Sequence, residues 1–283
     1  MSLEDDFCDI IKKSRHGQTL SVAEVARQSH LAPNDLEDLE HGVRLPNKEE
    51  VASLAHTLNL RNQPLANIAI HGWTPNDVPS WTTERGLVTT TLGDIGGYEV
   101  KGYLLTDYQS NESVMVDTGY NAKQMLQTIQ DKQLILKAVC LTHGHTDHAG
   151  GLKDILAQWP VPVYIGEEDL DLLDWTPPPQ FLIHPSSGET VSLGSLNLKC
   201  LTTPGHTPGG YCFSLKTTNH ALCFVGDTLF SGSIGRSNPL TLYPTHLASV
   251  REIVLMLEDS TVLLPGHGPA TTAQEERSHN PFA

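Results

Sequence analysis

The sequence predicts a layered α/β domain preceded by a small all-α domain. Residues 1–70 carry apolar side chains at helical spacing without strand-like alternation, whereas residues 86–283 contain short apolar runs that first follow one another and later alternate with helical patterns. Residues 71–85 contain glycine and two prolines and are predicted to form a linker. Because Trp73 and Trp81 lie in this linker, we expect it to pack against a folded surface.

The N-terminal region contains five stretches with helical patterning. Ser21 followed by Glu24 forms a capping box at the start of the second stretch, and Gly42 closes the third. The predicted helices are residues 3–14, 20–26, 33–40, 49–58 and 65–70.

The region after residue 85 contains strands and helices. Strand-like runs lie near residues 87–92, 102–106, 113–117, 136–141, 161–165, 196–202, 211–215, 221–225 and 261–264. Helical patterns lie near residues 121–133, 151–158, 167–174 and 246–257. This order of elements favours a sandwich in which sheets and helices form layers.

Residues 143–148 contain three histidines and one aspartate directly after the apolar run 136–141. A strand that ends in this loop would present its four candidate ligands to one small volume; they are His143, His145, Asp147 and His148. Imidazole nitrogens and carboxylate oxygens suit zinc and its first-row neighbours. The loop is therefore predicted to bind metal.

Three further candidate ligands occur in similar settings. His206, Asp227 and His267 each follow a short apolar or β-branched run and are flanked by glycine or proline. Seven ligands exceed the four of a tetrahedral zinc ion, whereas two ions that share a carboxylate accommodate them. Asp227 is the expected bridge, because it has no nearby histidine and offers two oxygens. Two ions about 3.5 Å apart can hold a hydroxide and polarise a carbonyl, which predicts hydrolysis instead of redox chemistry.

This set of motifs resembles the metallo-β-lactamase superfamily over residues 86–283. The resemblance implies an αββα sandwich that holds two metal ions at one edge. It assigns the ligands as follows: His143, His145 and His206 to the first ion, Asp147, His148 and His267 to the second, and Asp227 to both. Asp117 matches an aspartate that supports a ligand in this family, and capping of the turn before Gly119 is its alternative role.

Two segments are similar to the glyoxalase II branch, which hydrolyses glutathione thioesters. They are residues 226–236, with the sequence GDTLFSGSIGR, and residues 266–282, which begin with GHGPA. True β-lactamases usually carry cysteine or serine at the position of Asp227, so the resemblance argues against antibiotic hydrolysis. Only sixteen residues follow His267, whereas glyoxalase II enzymes carry a helical C-terminal domain that helps to bind glutathione. The chain is therefore more similar to the short glyoxalase-II-like hydrolases.

The resemblance implies that a hydroxide bridging two divalent ions attacks a thioester carbonyl, with zinc as the expected metal and iron or manganese as alternatives. Asp147 is expected to orient the hydroxide as well as to bind metal. Opening of lactones by the same ligands is one alternative function, and a mononuclear iron persulfide dioxygenase is another. Arg236 is a candidate for contact with a substrate carboxylate, and a surface salt bridge is its competing role.

The N-terminal helices resemble the helix-turn-helix domain of the phage-repressor and Cro type over about residues 7–68. The positions that carry this similarity are Leu20, Ser21, Glu24, Val25, Ala26, Leu31, Ala32, Leu36, Leu39, Glu40, His41, Gly42, Pro46, Leu54, Ala55 and Leu58. The segment that matches the recognition helix contains four carboxylates, and no lysine or arginine lies between Arg27 and Arg44. Because binding to phosphates requires positive charge, we expect this domain to form a homodimer interface or to cap the active site, with a plain helical appendage as the alternative, and not to bind DNA.

Composition excludes several classes of partner. The formal net charge of −15 opposes binding to nucleic acid and to anionic membranes, and no apolar run approaches the ~20 residues of a membrane span. The acidic start of the chain lacks the pattern of a signal peptide. Five cysteines without a CxxC pair indicate buried free thiols and hence a cytoplasmic protein. The partner that the resemblance implies is a small-molecule thioester or lactone substrate.

Overall fold

The computed structural model describes residues 2–78, 86–95, 97–120 and 122–283. Within them, two six-stranded sheets pack face to face, and helices cover both outer faces. The predicted αββα sandwich with helices ahead of it is thereby confirmed. Residues 79–85 of the predicted linker, with Trp81, lie outside the described residues.

The N-terminal unit contains five helices, each of which overlaps a predicted one. They are α1 Phe7–Gly17, α2 Val22–Gln28, α3 Pro33–Glu40, α4 Lys48–Thr57 and α5 Asn62–His71. The predicted capping box is present at α2, since Ser21 Oγ accepts from Glu24 N and the Glu24 carboxylate accepts from Ser21 N. Arg15 ties α1 to α3 through an ion pair with Glu40, at 2.6 Å from Nε to Oε1.

The first sheet runs, in spatial order, through β1 Gly86–Ile95, β2 Tyr98–Asp107, β3 Glu112–Val116, β4 Ile135–Cys140, β5 Val163–Tyr164 and β6 Leu182–Ile183. Strands β1 to β3 are antiparallel, and β3 to β6 are parallel. Its outer face is covered by α6 Lys123–Asp131 and α8 Leu152–Gln158, and the short α7 Thr146–Ala149 follows β4. Alternate residues of β4 face opposite layers: Ala138 and Cys140 contact the second sheet, and Val139 contacts the helices.

The second sheet runs through β12 Thr271–Thr272, β11 Val262–Pro265, β10 Ala221–Gly226, β9 Tyr211–Lys216, β8 Leu196–Thr202 and β7 Thr190–Leu193. Strands β10 and β11 are parallel, and the other neighbours are antiparallel. Helix α9 Tyr243–Ala248 and a π-helical turn Ser249–Val254 cover part of the outer face.

The N-terminal helices cover another part of that face and share its apolar core. Phe7, Ile10 and Leu54 are buried in the same cluster as Cys223 and Val225 of β10. Burial at roughly 25 cal/mol per Å² of apolar surface favours this packing. The helical unit is therefore attached to the sandwich by a continuous core.

The described part of the predicted linker also packs, as expected. Trp73 stacks on His279 with ring centroids 5.0 Å apart. A methyl group added at Gly232 would lie 2.9 Å from the Trp73 indole, so this ring also lies against the loop that follows β10.

Some elements differ from the prediction. The short strands β6, β7 and β12 and the helix α10 Ala273–His279 were not predicted, because two to four strand residues show too little periodicity. The predicted helix 167–174 is a 3-10 helix at Glu167–Leu172. The predicted helix 246–257 instead begins at Tyr243 and changes to π-helical geometry at Ser249.

No helix within the described residues is long and apolar enough to cross a membrane. The prediction of buried free thiols is confirmed for Cys140, Cys200, Cys212 and Cys223, and Cys8 is free and half-buried.

Candidate metal centre

The seven predicted ligands converge at one edge of the sandwich, and their ligating atoms form overlapping clusters. His143 follows the end of β4, His206 lies between β8 and β9, Asp227 follows β10 and His267 follows β11. Side chains that follow the carboxyl ends of neighbouring strands meet at one edge of a sheet, which is why four separate loops reach one place.

The first group consists of His143, His145 and His206. Their rings are roughly perpendicular to one another, with centroids 4.6 to 4.9 Å apart. His145 Nδ1 lies 3.1 Å from His206 Nε2. The Nδ1 of His206 donates to the main-chain oxygen of Arg236 at 2.7 Å, so its Nε2 presents a lone pair to the group.

The second group that the resemblance predicts consists of Asp147, His148 and His267. In the structure His148 and His267 cluster with Asp227, and Asp147 and His148 cluster with His143. Asp147 Oδ2 lies 3.2 Å from His267 Nε2 and 3.6 Å from His148 Nε2. His267 donates from Nδ1 to the main-chain oxygen of Glu99 at 2.7 Å. With that tautomer, a lone pair on Nε2 faces a carboxylate, an arrangement that requires a proton or a cation between them.

Asp227 lies between the two groups. Its Oδ1 is 3.3 Å from His148 Nε2, while its Oδ2 is 3.6 Å from His206 Nε2 and 3.7 Å from His267 Nε2. One carboxylate therefore faces histidines of both groups.

The donor atoms fit divalent metal ions. His143 Nε2, His148 Nε2 and Asp227 Oδ1 are buried and lack a hydrogen-bond partner among the described residues. Leaving such groups unsatisfied costs about 1–3 kcal/mol each, so their convergence indicates a ligand. Ligands of a tetrahedral zinc ion lie about 3.3 Å from one another. Neighbouring ligating atoms lie 3.1 to 3.7 Å apart, which includes that value, and all atoms within a cluster lie within 4.8 Å of one another.

The pKa values of two histidines in the first group are lowered, which favours the neutral form that binds metal. Burial and the neighbouring histidines hold the pKa of His143 well below its usual value. Burial lowers the pKa of His206 to about 3. Both imidazoles are thus neutral near pH 7, and neutral imidazole is the form that binds metal.

In the second group, neighbouring carboxylates raise the pKa values of the histidines by more than burial lowers them. Burial lowers the pKa of His148, but Asp227 and Asp117 outweigh it and raise the pKa well above its usual value. The pKa of His267 is also raised, because Asp227 and Asp147 outweigh burial. A metal ion that binds here displaces protons.

Asp117 supports one of these ligands from behind. Its Oδ2 accepts from His148 Nδ1 at 2.9 Å, and its two oxygens accept from Thr142 N and Thr142 Oγ1, both at 2.7 Å. Its backbone has a φ of +53°, a conformation that non-glycine residues rarely adopt. Of the two roles considered from the sequence, the structure agrees with support of a candidate ligand, since Asp117 contacts His148.

Asp169 is a supporting residue that the sequence did not reveal. Its Oδ2 accepts from Gly144 N at 3.0 Å and Thr207 Oγ1 at 2.7 Å, and its Oδ1 accepts from Gly209 N at 2.7 Å. It thereby ties the His143 loop to the His206 loop. Its position in an acidic run, residues 167–171, gave no sign of burial.

Two further buried groups brace the loop after β10. His246 Nε2 lies 2.8 Å from Thr228 O, and burial lowers the pKa of His246 to about 4. Glu276 accepts from the Gly232 main chain at 3.0 Å and from Asn280 Nδ2 at 2.8 Å, and burial raises the pKa of Glu276 to about 7. Neither residue was predicted, because no pattern in the sequence marks a buried polar brace.

Arg236 contributes to the centre through its main chain, which accepts from His206. Its side chain is exposed and forms no ion pair within the described residues. The structure therefore shows neither of the two contacts considered for this side chain.

The family follows from comparison with known proteins. A family model described as the metallo-beta-lactamase superfamily matches residues 96–267. The chain belongs to this superfamily. The match begins after the N-terminal helices, so the helix-turn-helix identity of those helices stays a prediction.

The named relatives include hydrolases. Hydroxyacylglutathione hydrolase GloC of Haemophilus influenzae is 34% identical over 194 residues, which cover 63% of this chain and 90% of GloC. The structure of TTHA1623 in a di-iron-bound form has 29% identity and a TM-score of 0.58, and the match covers 68% of this chain and all of that one. The B3 metallo-beta-lactamase BLEG-1 has 29% identity and a TM-score of 0.59, over 69% of this chain and 99% of BLEG-1. The family and the clustered ligands identify the protein as a metal-dependent hydrolase.

Proposed function

We propose that the protein is a dinuclear metal-dependent hydrolase of thioesters, similar in reaction to hydroxyacylglutathione hydrolase. The position of Asp227 carries this proposal, because its two oxygens face histidines of both groups. A carboxylate so placed can bind two adjacent ions, and such pairs activate water toward an acyl carbon. The similarity to GloC, a hydroxyacylglutathione hydrolase, supports a thioester as the substrate class.

The proposed assignment of ligands divides the cluster in two. The first ion would be bound by His143, His145 and His206, the second by Asp147, His148 and His267, and both by Asp227. The set contains nitrogen and oxygen ligands without a thiolate, which suits zinc, iron and manganese. We assign zinc, and the di-iron form of TTHA1623 makes iron the first alternative to test.

Bound divalent ions would lower the pKa of a water molecule toward neutrality and polarise the substrate carbonyl. The side chain of Asp147 is 25% exposed, against 10% for Asp227, His206 and His267, so it is more accessible to an incoming substrate than they are. We therefore propose that Asp147 accepts a hydrogen bond from the attacking water and orients it. The thiolate leaving group needs little protonation, because thiols have a pKa of about 8.5.

The first experiment combines metal analysis with a substrate panel. Protein purified without added metal is analysed by inductively coupled plasma mass spectrometry and assayed with S-lactoylglutathione, lactones, glutathione persulfide and a β-lactam. Two ions per chain with thioester hydrolysis support the proposal. One iron per chain with oxygen consumption on the persulfide, or turnover of lactones or the β-lactam in preference to the thioester, would overturn it.

A matched pair of variants tests the bridge. Asp227→Asn is expected to lower metal content from two ions per chain to one and to reduce thioester hydrolysis by about a hundredfold or more. Asp154→Asn, on the exposed face of α8, provides the control for removal of a carboxylate. Two ions per chain in Asp227→Asn would contradict the bridging role.

A further inference from the structure

Lys101 on β2 is a buried cation without a direct partner. It is 6% exposed, and within the described residues its Nζ forms no hydrogen bond or ion pair. Burial lowers the pKa of Lys101, and the more distant carboxylates of Glu99 and Glu4 only partly offset this. An ammonium withdrawn from water without a partner is destabilising by several kcal/mol, so a fold keeps one only where it meets an anion or serves a function.

The main chain of Lys101 contacts Gly266, the residue that precedes the candidate ligand His267. Its N–H donates to Gly266 O at 2.8 Å. A methyl group added at Gly266 would lie 2.6 Å from Asp227 Oδ1 and 3.1 Å from His148 Nε2. A single glycine thus separates β2 from the candidate metal centre at this point.

The side chain of Lys101 points to the side of β2 that carries the His267 loop. Lys101 shares a strand face with Tyr103, whose hydroxyl donates to Pro265 O at 2.6 Å. Gly102 faces the opposite side, against Met125 of α6. Lys101 is not fully enclosed, because 6% of its surface remains exposed.

Another cation near this edge is already engaged. Lys13 forms an ion pair with Asp5, donates to Ile234 O at 2.9 Å and lies 5.0 Å from the centroid of Phe230. Lys101 has no such engagement, in a chain whose net charge is −15. The described residues give Lys101 no anionic partner, so a bound ligand would have to supply the anion.

We propose that Lys101 binds a carboxylate of the substrate and thereby selects thioesters that carry free carboxylates over those in which the carboxylates are blocked. The inference rests on the proposed hydrolase function, since it requires the thioester of the same substrate to lie at the metal centre. A carboxylate at Nζ forms a charge-assisted hydrogen bond and supplies the missing counter-charge. Glu4 faces the same region, because its main-chain nitrogen lies 3.1 Å from a methyl group added at Gly268.

Kinetics with a matched pair of substrates tests the proposal. S-lactoylglutathione is compared with its diethyl ester, in which both carboxylates are blocked. Lys101→Met is expected to lower the ratio of kcat/KM for the acid to kcat/KM for the diester by tenfold or more, mainly through KM, whereas Lys101→Arg retains most of the ratio. Glu4→Gln is expected to raise the ratio by removing a nearby negative charge. Lys132→Met, on an exposed lysine, is the control. An unchanged ratio in Lys101→Met would overturn the proposal.

Binding measured by calorimetry separates this proposal from the function on which it rests. S-methylglutathione and its diethyl ester are titrated into the zinc-loaded protein, so that no thiol or reaction contributes. The wild type is expected to prefer the acid by tenfold or more, and Lys101→Met to lose this preference. If the wild type hydrolyses no thioester but shows the preference, only the proposed function fails. Equal binding of acid and diester by the wild type would overturn the role of Lys101.

Stability distinguishes recognition from a structural role. Because Lys101→Met removes a buried ammonium without a partner, its Tm is expected to equal or exceed that of the wild type. A Tm lower by more than a few degrees would assign Lys101 to the fold, through Glu99 and Glu4, and would overturn the proposal.

Discussion

His148 Nδ1 donates a hydrogen bond to Asp117 Oδ2 at 2.9 Å, and this bond determines which nitrogen of His148 faces the metal centre. The remaining nitrogen, Nε2, is buried and unpartnered within the described residues. The same carboxylate holds Thr142, the residue before His143. Asp117 therefore positions candidate ligands that belong to both groups.

Asp117→Asn is expected to weaken binding of the second metal about 10- to 100-fold, because an amide holds the imidazole in the required tautomer less well than a carboxylate. Competition with a chromophoric chelator measures the affinity. Asp107→Asn is the matched control, since Asp107 is equally buried but binds Ser195 and Gln109. An equal loss of affinity in both variants would contradict a specific role for Asp117.

Asp169→Asn is expected to loosen the link between the two histidine loops. The amide can replace only part of the three accepted hydrogen bonds, so we expect a loss of about 1–3 kcal/mol in the free energy of unfolding and weaker binding of the first metal. Urea unfolding and chelator competition measure the two effects. The exposed Asp171→Asn serves as the control. First-metal affinity that stays at the wild-type value would show that the loops hold their positions without Asp169.

Metal content is expected to depend on pH in two steps. As pH falls from about 8 to 5.5, protons compete for His148 and His267, whose pKa values are raised, before they compete for His143 and His206, whose pKa values are lowered. Dialysed protein should therefore fall from two ions per chain to one, as measured by mass spectrometry. His267→Gln should hold one ion throughout. Parallel loss of both ions from the wild type would contradict the assignment.

Glu276 is expected to make stability fall as pH rises. Its folded pKa of about 7 exceeds the usual value of 4.5, so the folded state binds more protons between these values. The contribution is complete below about pH 4.5 and is lost as pH rises through 7, by about 3 kcal/mol at most. Urea unfolding at several pH values should show this loss in the wild type and not in Glu276→Gln. Glu275→Gln is the neighbouring control, and a pH profile of Glu276→Gln that matches the wild type would remove Glu276 as the cause.

The N-terminal unit is expected not to bind DNA. Helix α3, which the sequence resemblance matches to a recognition helix, exposes Asp35, Glu37 and Asp38, and these charges repel phosphates. Fluorescence anisotropy with a labelled duplex at low and moderate salt should show no saturable binding. Binding with a steep salt dependence would restore a DNA-binding role for this domain.

The elements that the sequence predicted well are those with a local signature. The capping box at Ser21 and the apolar run that forms β4 depend on residues only a few positions apart, so each can be recognised without knowledge of the fold. Helix α10 was missed although it carries Glu276, because its seven residues show no clear apolar periodicity.

The sequence by itself determined the fold class and the seven candidate ligands, because each candidate follows an apolar or β-branched run and lies in a segment marked by glycine or proline. Only the tertiary structure revealed the residues that hold them, Asp169 and His246, and the buried cation Lys101. Burial of a polar side chain depends on which distant segments pack around it, and no short segment of sequence contains that information.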